Sequence, residues 1–117
     1  MNITIKFYPD GNDGCVKEYL EQLRLDPQKK ASWAQLVQDV AVLQSEGLQS
    51  KQISIRSLKS ISKGLWEIRR HHNKIYYRMY FVVNKNTFWL VHYLEKKSST
   101  IPRQDVELLR KRAKEII

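Results

Sequence analysis

The sequence predicts a single α+β domain over residues 1–117, in which an antiparallel meander sheet carries an N-terminal helical hairpin and a C-terminal helix. Two observations support this fold class. Between residues 65 and 94, apolar residues recur at every second position, as the half-buried strands of a sheet require. Before residue 47 and after residue 101 they recur every three or four positions, which is typical of amphipathic helices. A chain of 117 residues is long enough for one hydrophobic core but not for two.

The chain is predicted to begin with a short strand and a helix. Residues 1–8 alternate apolar and polar side chains and stop at a Pro-Asp-Gly turn, which is typical of a strand that ends in a turn. Asn12 or Asp13 is expected to cap a helix that runs to about Leu25, where an Asp-Pro pair breaks it.

A second helix is expected over residues 29–46, because Gly47 is suited to the left-handed backbone that commonly ends a helix. Its apolar stripe consists of Trp33, Leu36, Val37, Val40 and Leu43. This stripe is interpreted as core or as a partner interface. Residues 48–63 stay open between an irregular segment and a short edge strand around Ile53 and Ile55.

Three consecutive strands and a last helix follow. The strands are expected over residues 65–71, 75–83 and 87–94, joined by short turns. In the middle strand, one face would carry Ile75, Tyr77, Met79, Phe81 and Val83, and the other Tyr76, Arg78, Tyr80 and Val82. Thr100 is expected to cap a helix over residues 102–116. The helices are expected on one face of the sheet, which leaves the opposite face for solvent or a ligand.

Positive charge is concentrated in the second half of the chain. Residues 1–52 contain 6 Lys and Arg against 7 Asp and Glu, whereas residues 53–117 contain 15 against 5. The formal net charge of +9 therefore arises entirely from the second half. Such a field is typical of a protein that binds a polyanion, most simply nucleic acid. The alternatives are that the charge serves solubility or meets an acidic protein surface.

Several catalytic chemistries do not fit this sequence. It has 4 glycines and no Gly-rich phosphate loop, so no nucleotide cofactor is expected. The single cysteine, Cys15, cannot form an intrachain disulfide or a clustered zinc site. His71 and His72 would face opposite sides of a strand, so they are interpreted as polar residues near a turn and not as metal ligands. We therefore expect no cofactor and no metal.

The sequence shows no targeting or membrane-spanning segment. The N-terminus has no apolar signal core, and no apolar run reaches about 18 residues. One cysteine gives no sign of an oxidising compartment. We therefore expect a cytoplasmic protein with no membrane contact.

RNA cleavage fits the basic half, because it needs little more than cations. The 2′-hydroxyl of RNA can attack the adjacent phosphorus, so no protein nucleophile is required. Arg supplies a planar fork for phosphate oxygens, Lys supplies a point charge or a base, and aromatic rings stack on bases. The residues with suitable chemistry are Arg69, Arg78, His92, Tyr93, Lys96 and Lys97.

Three motifs in this half resemble those of the RelE/HigB superfamily, the toxins of bacterial and phage type II toxin–antitoxin systems. They are GLWEIR at residues 64–69, YYR at residues 76–78 and VHYLEKKSSTIP at residues 91–102, followed by a basic helix. The resemblance covers residues 53–117 well and the N-terminal helices only in their order. The sequence departs from the family at Leu94, where phenylalanine is usual, and at the extra residue Ile101.

The resemblance implies a RelE-like fold and a metal-independent, ribosome-dependent endoribonuclease that cuts mRNA. Its partners would be the ribosome, mRNA and a cognate antitoxin, expected to be a small helix-turn-helix protein. The matching positions that would act in catalysis are Arg69, Arg78, His92, Lys96 and Lys97. Lys59, Lys63, Tyr93 and Arg103 are expected to contribute to RNA binding. The alternative is a non-catalytic relative that binds nucleic acid or protein through the same basic face.

Some of these residues have a structural interpretation as well. Strict alternation groups His92 with Phe88, Leu90 and Leu94, and Tyr93 with Trp89 and Val91. His92 is therefore alternatively a core residue, while Tyr93 is kept as a residue that stacks on a base. Glu67, Glu95 and Asp105 are interpreted as ion-pair or capping residues, because the basic half offers no cleft with paired acids.

Overall fold

The chain folds into a five-stranded sheet with helices on both faces, and the computed structural model describes residues 3–96 and 100–117. Within these residues the elements are β1 (Thr4–Phe7), α1 (Cys15–Leu25), α2 (Lys30–Glu46), a 3-10 turn (Gly47–Gln49), β2 (Ser54–Ser57), β3 (Leu65–His72), β4 (Ile75–Asn84), β5 (Thr87–Lys96) and α3 (Arg103–Ile116). The strand order is β1-β5-β4-β3-β2. β1 runs parallel to β5, and the other neighbouring strands are antiparallel. The predicted α+β class is confirmed.

A two-residue turn sets the register of the β3–β4 hairpin. Asn73 and Lys74 have φ values of 51° and 66°, and positive φ at both central residues is typical of a type I′ turn. The twist of such a turn matches the twist of the strands that it joins. The ladder that it starts places Arg69 opposite Arg78, so the arginines of two sequence motifs are neighbours on one face.

A β-bulge in β5 changes which residues share a face. Tyr80 pairs with His92 but Phe81 pairs with Leu90, so Val91 is an additional residue on β5. Strict alternation across Val91 is therefore wrong. His92 lies on the face of Tyr80, and Tyr93 lies on the opposite face, against α1.

The helical hairpin covers one face of the sheet, which we call the first face. The core on this face includes Val16, Leu20 and Leu23 of α1, Leu36 and Leu43 of α2, and Ile68, Met79, Phe81, Phe88 and Leu90 of the sheet. Two ion pairs also join the hairpin to the sheet. Arg70 of β3 pairs with the buried Asp39 of α2. Nζ of Lys29, just before α2, lies 2.8 Å from Oε1 of Glu95 in β5.

The C-terminal helix covers half of the opposite face, which we call the second face. Here Leu109 and Ala113 of α3 pack with Leu58, Leu65, Tyr80, Val82 and Val91. The expectation that this face is left for solvent or a ligand is therefore wrong for this half, because the apolar stripe of α3 needs a partner. The half near the β3–β4 turn is more open, since His71 is exposed and Tyr76 is partly exposed.

The start of α1 differs from the prediction. The helix begins at Cys15 with Gly14 as its N-cap, and no side chain caps it, so neither Asn12 nor Asp13 has this role. The segment before the helix folds back on itself, and a Cβ on Gly14 would lie only 1.8 Å from the carbonyl oxygen of Tyr8. This close approach delays the helix until after the glycine.

The remaining boundaries lie close to those predicted. α3 begins at Arg103 with Pro102 as its N-cap, so Thr100 is not the cap. Gly47 ends α2 with a φ of 73°, as expected. The open segment contains β2, a four-residue edge strand paired with β3. In the part of the chain that the structure describes, no helix has both the length and the apolar character that a membrane crossing demands.

Packing of α3 on the second face can be tested with Leu109→Ala. Leu109 is fully buried, so the substitution should lower the free energy of unfolding by about 2–5 kcal/mol through lost burial and the cavity that remains. Urea denaturation would measure this change. Glu107→Ala, at an exposed position of the same helix, is the control and should change stability far less. Equal stability of the two variants would contradict the packing described for α3.

Candidate functional site

Polar residues on the second face lie in adjacent rows across the sheet, where side chains of neighbouring strands contact one another. The first row consists of Arg56, Glu67, Tyr80 and His92, which are successive register partners from β2 to β5. The second consists of Ser54, Arg69, Arg78 and Leu94, and the third of His71, Tyr76 and Lys96. The sheet thus brings together four residues that were predicted to act in catalysis: Arg69, Arg78, His92 and Lys96. The fifth, Lys97, lies outside the described residues.

A buried carboxylate organises the first two rows. The side chain of Glu67 is fully buried, and its Oε1 accepts hydrogen bonds from Nε of Arg56 at 3.0 Å and Nη2 of Arg69 at 3.3 Å. Its Oε2 lies 3.1 Å from Nε of Arg78. The interpretation of Glu67 as an ion-pair residue is confirmed, and three strands contribute guanidinium groups to one carboxylate.

Arg78 lies deepest among these three arginines. Its side chain is fully buried, and its Nη1 donates a hydrogen bond of 3.4 Å to the carbonyl oxygen of Thr100. The sequence predicted Arg78 in a phosphate-binding patch together with Arg69. The two arginines do share a face, but Arg78 is buried in the protein, where it forms an ion pair with Glu67.

The open end of the second face presents a stacked ring pair with two cationic residues at neighbouring positions of the sheet. The rings of His71 and Tyr76 are stacked, with centroids 4.3 Å apart and an interplanar angle of 19°. The guanidinium carbon of Arg69 lies 6.0 Å from the Tyr76 ring centroid, and Lys96 is the register partner of Tyr76 on β5. We call Arg69, His71, Tyr76 and Lys96 the open cluster.

Sequence reasoning missed His71 and Tyr76 as site residues. A signal was present, because Tyr76 is two positions before Arg78 and therefore shares its face. A two-residue turn after His72 would also have placed His71 opposite Tyr76. This turn was not recognised, since Asn-Lys is a less familiar sequence for it than Asn-Gly.

His92 joins the sheet to the first turn of α3. Its Nε2 lies 2.9 Å from Oδ1 of Asp105, and both side chains are largely buried. Burial lowers the pKa of His92 below its ordinary value, and the Asp105 carboxylate offsets this effect only in part. The neutral imidazole is therefore favoured at neutral pH, with Nε2–H donating to Asp105. This placement agrees with the ion-pair or capping role predicted for Asp105.

Tyr80 lies between His92 and Glu67 in the first row. Its ring centroid is 6.0 Å from that of His92. Burial raises the pKa of the Tyr80 hydroxyl, and the Glu67 carboxylate raises it further, so the hydroxyl stays protonated.

Among residues 3–96 and 100–117, no three Cys, His, Asp or Glu side chains are grouped as a metal site would need.

Tyr93 and Arg103 were also predicted to bind RNA, and of these Tyr93 lies outside the open cluster. Tyr93 stacks on Tyr19 of α1, with centroids 3.8 Å apart and an interplanar angle of 7°. It therefore faces the helical hairpin, whereas the prediction by alternation put it on the face of Val91. Arg103 is almost fully exposed at the start of α3, 3.7 Å from Glu107.

Lys59 and Lys63 lie in the loop that joins β2 to β3. Ile61 in this loop accepts a hydrogen bond of 3.3 Å from Nε of Arg110, so the loop rests against the second half of α3. This loop precedes the first residue of β3, Leu65, whereas His71 lies near the last residue of the same strand. Both lysines are exposed, and they belong to a different part of the surface from the open cluster.

Comparison with known proteins gives a match at the level of a family. The family model described as phage derived protein Gp49-like (DUF891) matches residues 21–114. The matched segment contains α2, strands β2 to β5 and most of α3, and it therefore includes the whole open cluster and Glu67. Comparisons with curated proteins and with solved structures gave no match.

The buried His92 should make stability depend on pH. Because its pKa in the folded protein is below the ordinary value, the unfolded chain takes up a proton that the folded protein resists. The free energy of unfolding should therefore fall as the pH drops below about 6.5. Urea denaturation of wild type and His92→Asn at several pH values isolates this contribution. Equal pH dependence in the two proteins would show that His92 does not cause it.

The buried ion pair of Arg78 should be needed for stability. Arg78→Ala leaves the Glu67 carboxylate without its buried counter-ion, so the free energy of unfolding should fall by about 3–5 kcal/mol. Arg24→Ala removes an exposed arginine that also pairs with one glutamate, and it should have little effect. Both are measured by chemical denaturation. If Arg78→Ala is as stable as Arg24→Ala, the pair of Arg78 with Glu67 does not stabilise the fold.

Proposed function

The chain belongs to the Gp49-like family of phage-derived proteins, which is associated with RelE/HigB-like toxins, and we propose that it is the toxin of a toxin–antitoxin system and acts as a ribosome-dependent mRNA endoribonuclease. The observation that carries this proposal is the open cluster. Arg69 and Lys96 supply cations for phosphate oxygens, Tyr76 supplies a ring for a base, and His71 supplies an imidazole. These groups stand on adjacent strands of one sheet, which fixes their spacing.

In the proposed reaction the RNA provides its own nucleophile. The 2′-oxygen forms a bond to phosphorus while the bond from phosphorus to the 5′-oxygen of the next nucleotide breaks. A base takes the proton of the 2′-hydroxyl, and an acid gives a proton to the departing 5′-oxygen. The products are a 2′,3′-cyclic phosphate and a 5′-hydroxyl, so the reaction is balanced without a metal or a cofactor.

The roles within this reaction follow from exposure. Arg69 and Lys96 would stabilise the negative charge that develops on the phosphate. His71 is exposed beside them and would carry out one of the two proton transfers. Tyr76 would take the stacking role that the sequence suggested for Tyr93, because Tyr76 is partly exposed on the second face, whereas Tyr93 packs against α1 on the first face.

The buried residues would keep the residues of the open cluster in position. Arg78 and Glu67 would hold Arg69 in place, and His92 would hold α3 through Asp105. The partners we propose are mRNA on the ribosome and a cognate antitoxin, a small helix-turn-helix protein. The family association supports the antitoxin, and the cytoplasm is the compartment in which these partners meet.

The burial of Arg78 favours a second candidate function. An arginine enclosed in an ion pair does not reach a phosphate, and a protein with fewer cations at the site could bind RNA or an acidic partner without cutting. Inducible expression with and without the neighbouring reading frame, followed by mapping of mRNA 5′ ends, separates the two functions. New 5′ ends at codon positions support the nuclease, and their absence favours the binding protein.

Single substitutions in the open cluster test the assigned roles. Arg69→Ala and Lys96→Ala should each relieve growth arrest, since loss of one preorganised donor typically lowers the rate about 10²–10³-fold. Arg69→Lys keeps the charge but loses the planar fork, so it should restore activity only in part. Lys114→Ala, an exposed cation on α3, is the control and should arrest growth like wild type. Thermal melting of each variant excludes misfolding as the cause.

The assignment fails if the Arg69 and Lys96 variants still arrest growth and cut mRNA at the same codon positions as wild type. Loss of the new 5′ ends in the Lys114→Ala control would also contradict it, because the effect would then depend on overall charge.

A further inference from the structure

The group of arginines around Glu67 carries more positive charge than its carboxylate balances. Arg56, Arg69 and Arg78 converge on Glu67 from β2, β3 and β4. In the part of the chain that the structure describes, no second carboxylate forms an ion pair with Arg56 or Arg69. One carboxylate neutralises one guanidinium, so the group as a whole is suited to receive a further anion.

The exposure of the three arginines increases toward the edge of the sheet. The exposed fraction of the side chain is 0% for Arg78, 28% for Arg69 and 50% for Arg56. The hydrogen bond to Glu67 engages Nε of Arg56 and neither of its two Nη groups. A guanidinium held at Nε keeps its Nη edge for a second acceptor, in the planar arrangement that suits phosphate oxygens.

Stability alone does not account for Arg56. The pair of Arg78 with Glu67 already neutralises the buried carboxylate. An ion pair of a half-exposed arginine contributes little to stability, because solvent screens it and the side chain loses freedom. A contact with an external anion gives Arg56 a role that folding does not require.

The register places Arg56 within reach of the same ligand as Arg69. In the register of β2 and β3, Arg56 lies opposite Glu67 and Arg69 lies opposite Ser54. The two arginines are therefore diagonal neighbours, and such positions have backbones about 7–8 Å apart. β2 forms the edge of the sheet, and Lys96 lies on β5, three strands away. From Arg56 to Lys96, the cations extend about 14 Å across the strands.

We propose that Arg56 is an additional phosphate-binding subsite, and that a single RNA strand crosses the second face from Lys96 over Tyr76 and Arg69 to Arg56. This inference rests on the proposed function in that the bound strand is RNA. Glu67 is the positioning residue of the subsite, because one of its oxygens, Oε1, holds both Arg56 and Arg69. It does not touch the RNA itself, since its side chain is fully buried.

The test is binding of a labelled single-stranded RNA that carries 2′-O-methyl groups at every position and so cannot be cut by 2′-hydroxyl attack. Fluorescence anisotropy over a range of salt concentrations gives the affinity and its salt dependence. Arg56→Ala should weaken binding about tenfold at low salt. It should also reduce the slope of log K against log salt by about 0.7, the value for one phosphate contact of a single strand. Arg56→Lys should keep the slope and recover only part of the affinity.

Arg24→Ala is the matched control for these variants. Arg24 is a half-exposed arginine that pairs with one glutamate, but it lies on α1, away from the second face. It should leave the affinity and the slope unchanged. Both alanine variants should melt at similar temperatures, because neither removes a buried group.

A double-mutant cycle tests the positioning role of Glu67. Glu67→Gln should weaken RNA binding when Arg56 is present and should have a smaller effect in the Arg56→Ala background, because both changes remove the same contact. A purely structural role would give equal effects in the two backgrounds. Glu67→Gln also lowers stability through Arg78, so the Arg56 variants carry the main test.

The outcomes separate this inference from the proposed function. Wild-type affinity and slope in Arg56→Ala overturn the subsite, even if the wild-type protein cuts mRNA. A wild-type protein that does not bind the RNA overturns it as well. If Arg56→Ala lowers the slope but the wild type cuts no mRNA on ribosomes, the subsite stands and the nuclease proposal fails.

Discussion

The buried carboxylate of Glu67 is the constraint on which the second face depends. Removing a carboxylate from water costs several kcal/mol unless cations and hydrogen bonds replace the solvent. Arg78 therefore lies in the core beside this carboxylate, and Arg56 and Arg69 point toward the same group from the surface. The result is a cross-link of β2, β3 and β4 by side chains, in addition to the hydrogen bonds of their backbones.

The second half of the chain is strongly positive although it contains five acidic residues. Its five acidic residues all have partners within the protein: Glu67 with arginines, Glu95 with Lys29, Asp105 with His92, Glu107 with Arg103 and Glu115 with Tyr8. Two of these contacts, Glu95 with Lys29 and Asp105 with His92, join the helices to the sheet. The positive charge is left at the surface, where a polyanion can meet it.

The sequence predicted the elements better than their packing. Period-two alternation and helical stripes indicated β3 to β5 and the three helices, because those patterns arise from local geometry. The stripe of α3 showed that it packs on something, but not which face of the sheet it would cover. The burial of Arg78 depends on Glu67 of the neighbouring strand, a pairing that alternation within one strand does not reveal. His71 and Tyr76 were missed for a related reason, since only the register of the hairpin brings them together.

The extra residue at Val91 has a consequence at the level of the gene. Removing its codon would restore strict alternation in β5, and the residues from His92 onward would keep their faces, because Leu90 and His92 would then follow each other opposite Phe81 and Tyr80. What would be lost is the apolar side chain of Val91 on the second face and its carbonyl oxygen, which accepts hydrogen bonds from Cys15 and Arg112. A single-codon deletion in the regular part of β5 after the bulge would instead turn the side chains that follow it to the opposite face. Any alignment of this strand has to keep the bulge in order to compare equivalent faces.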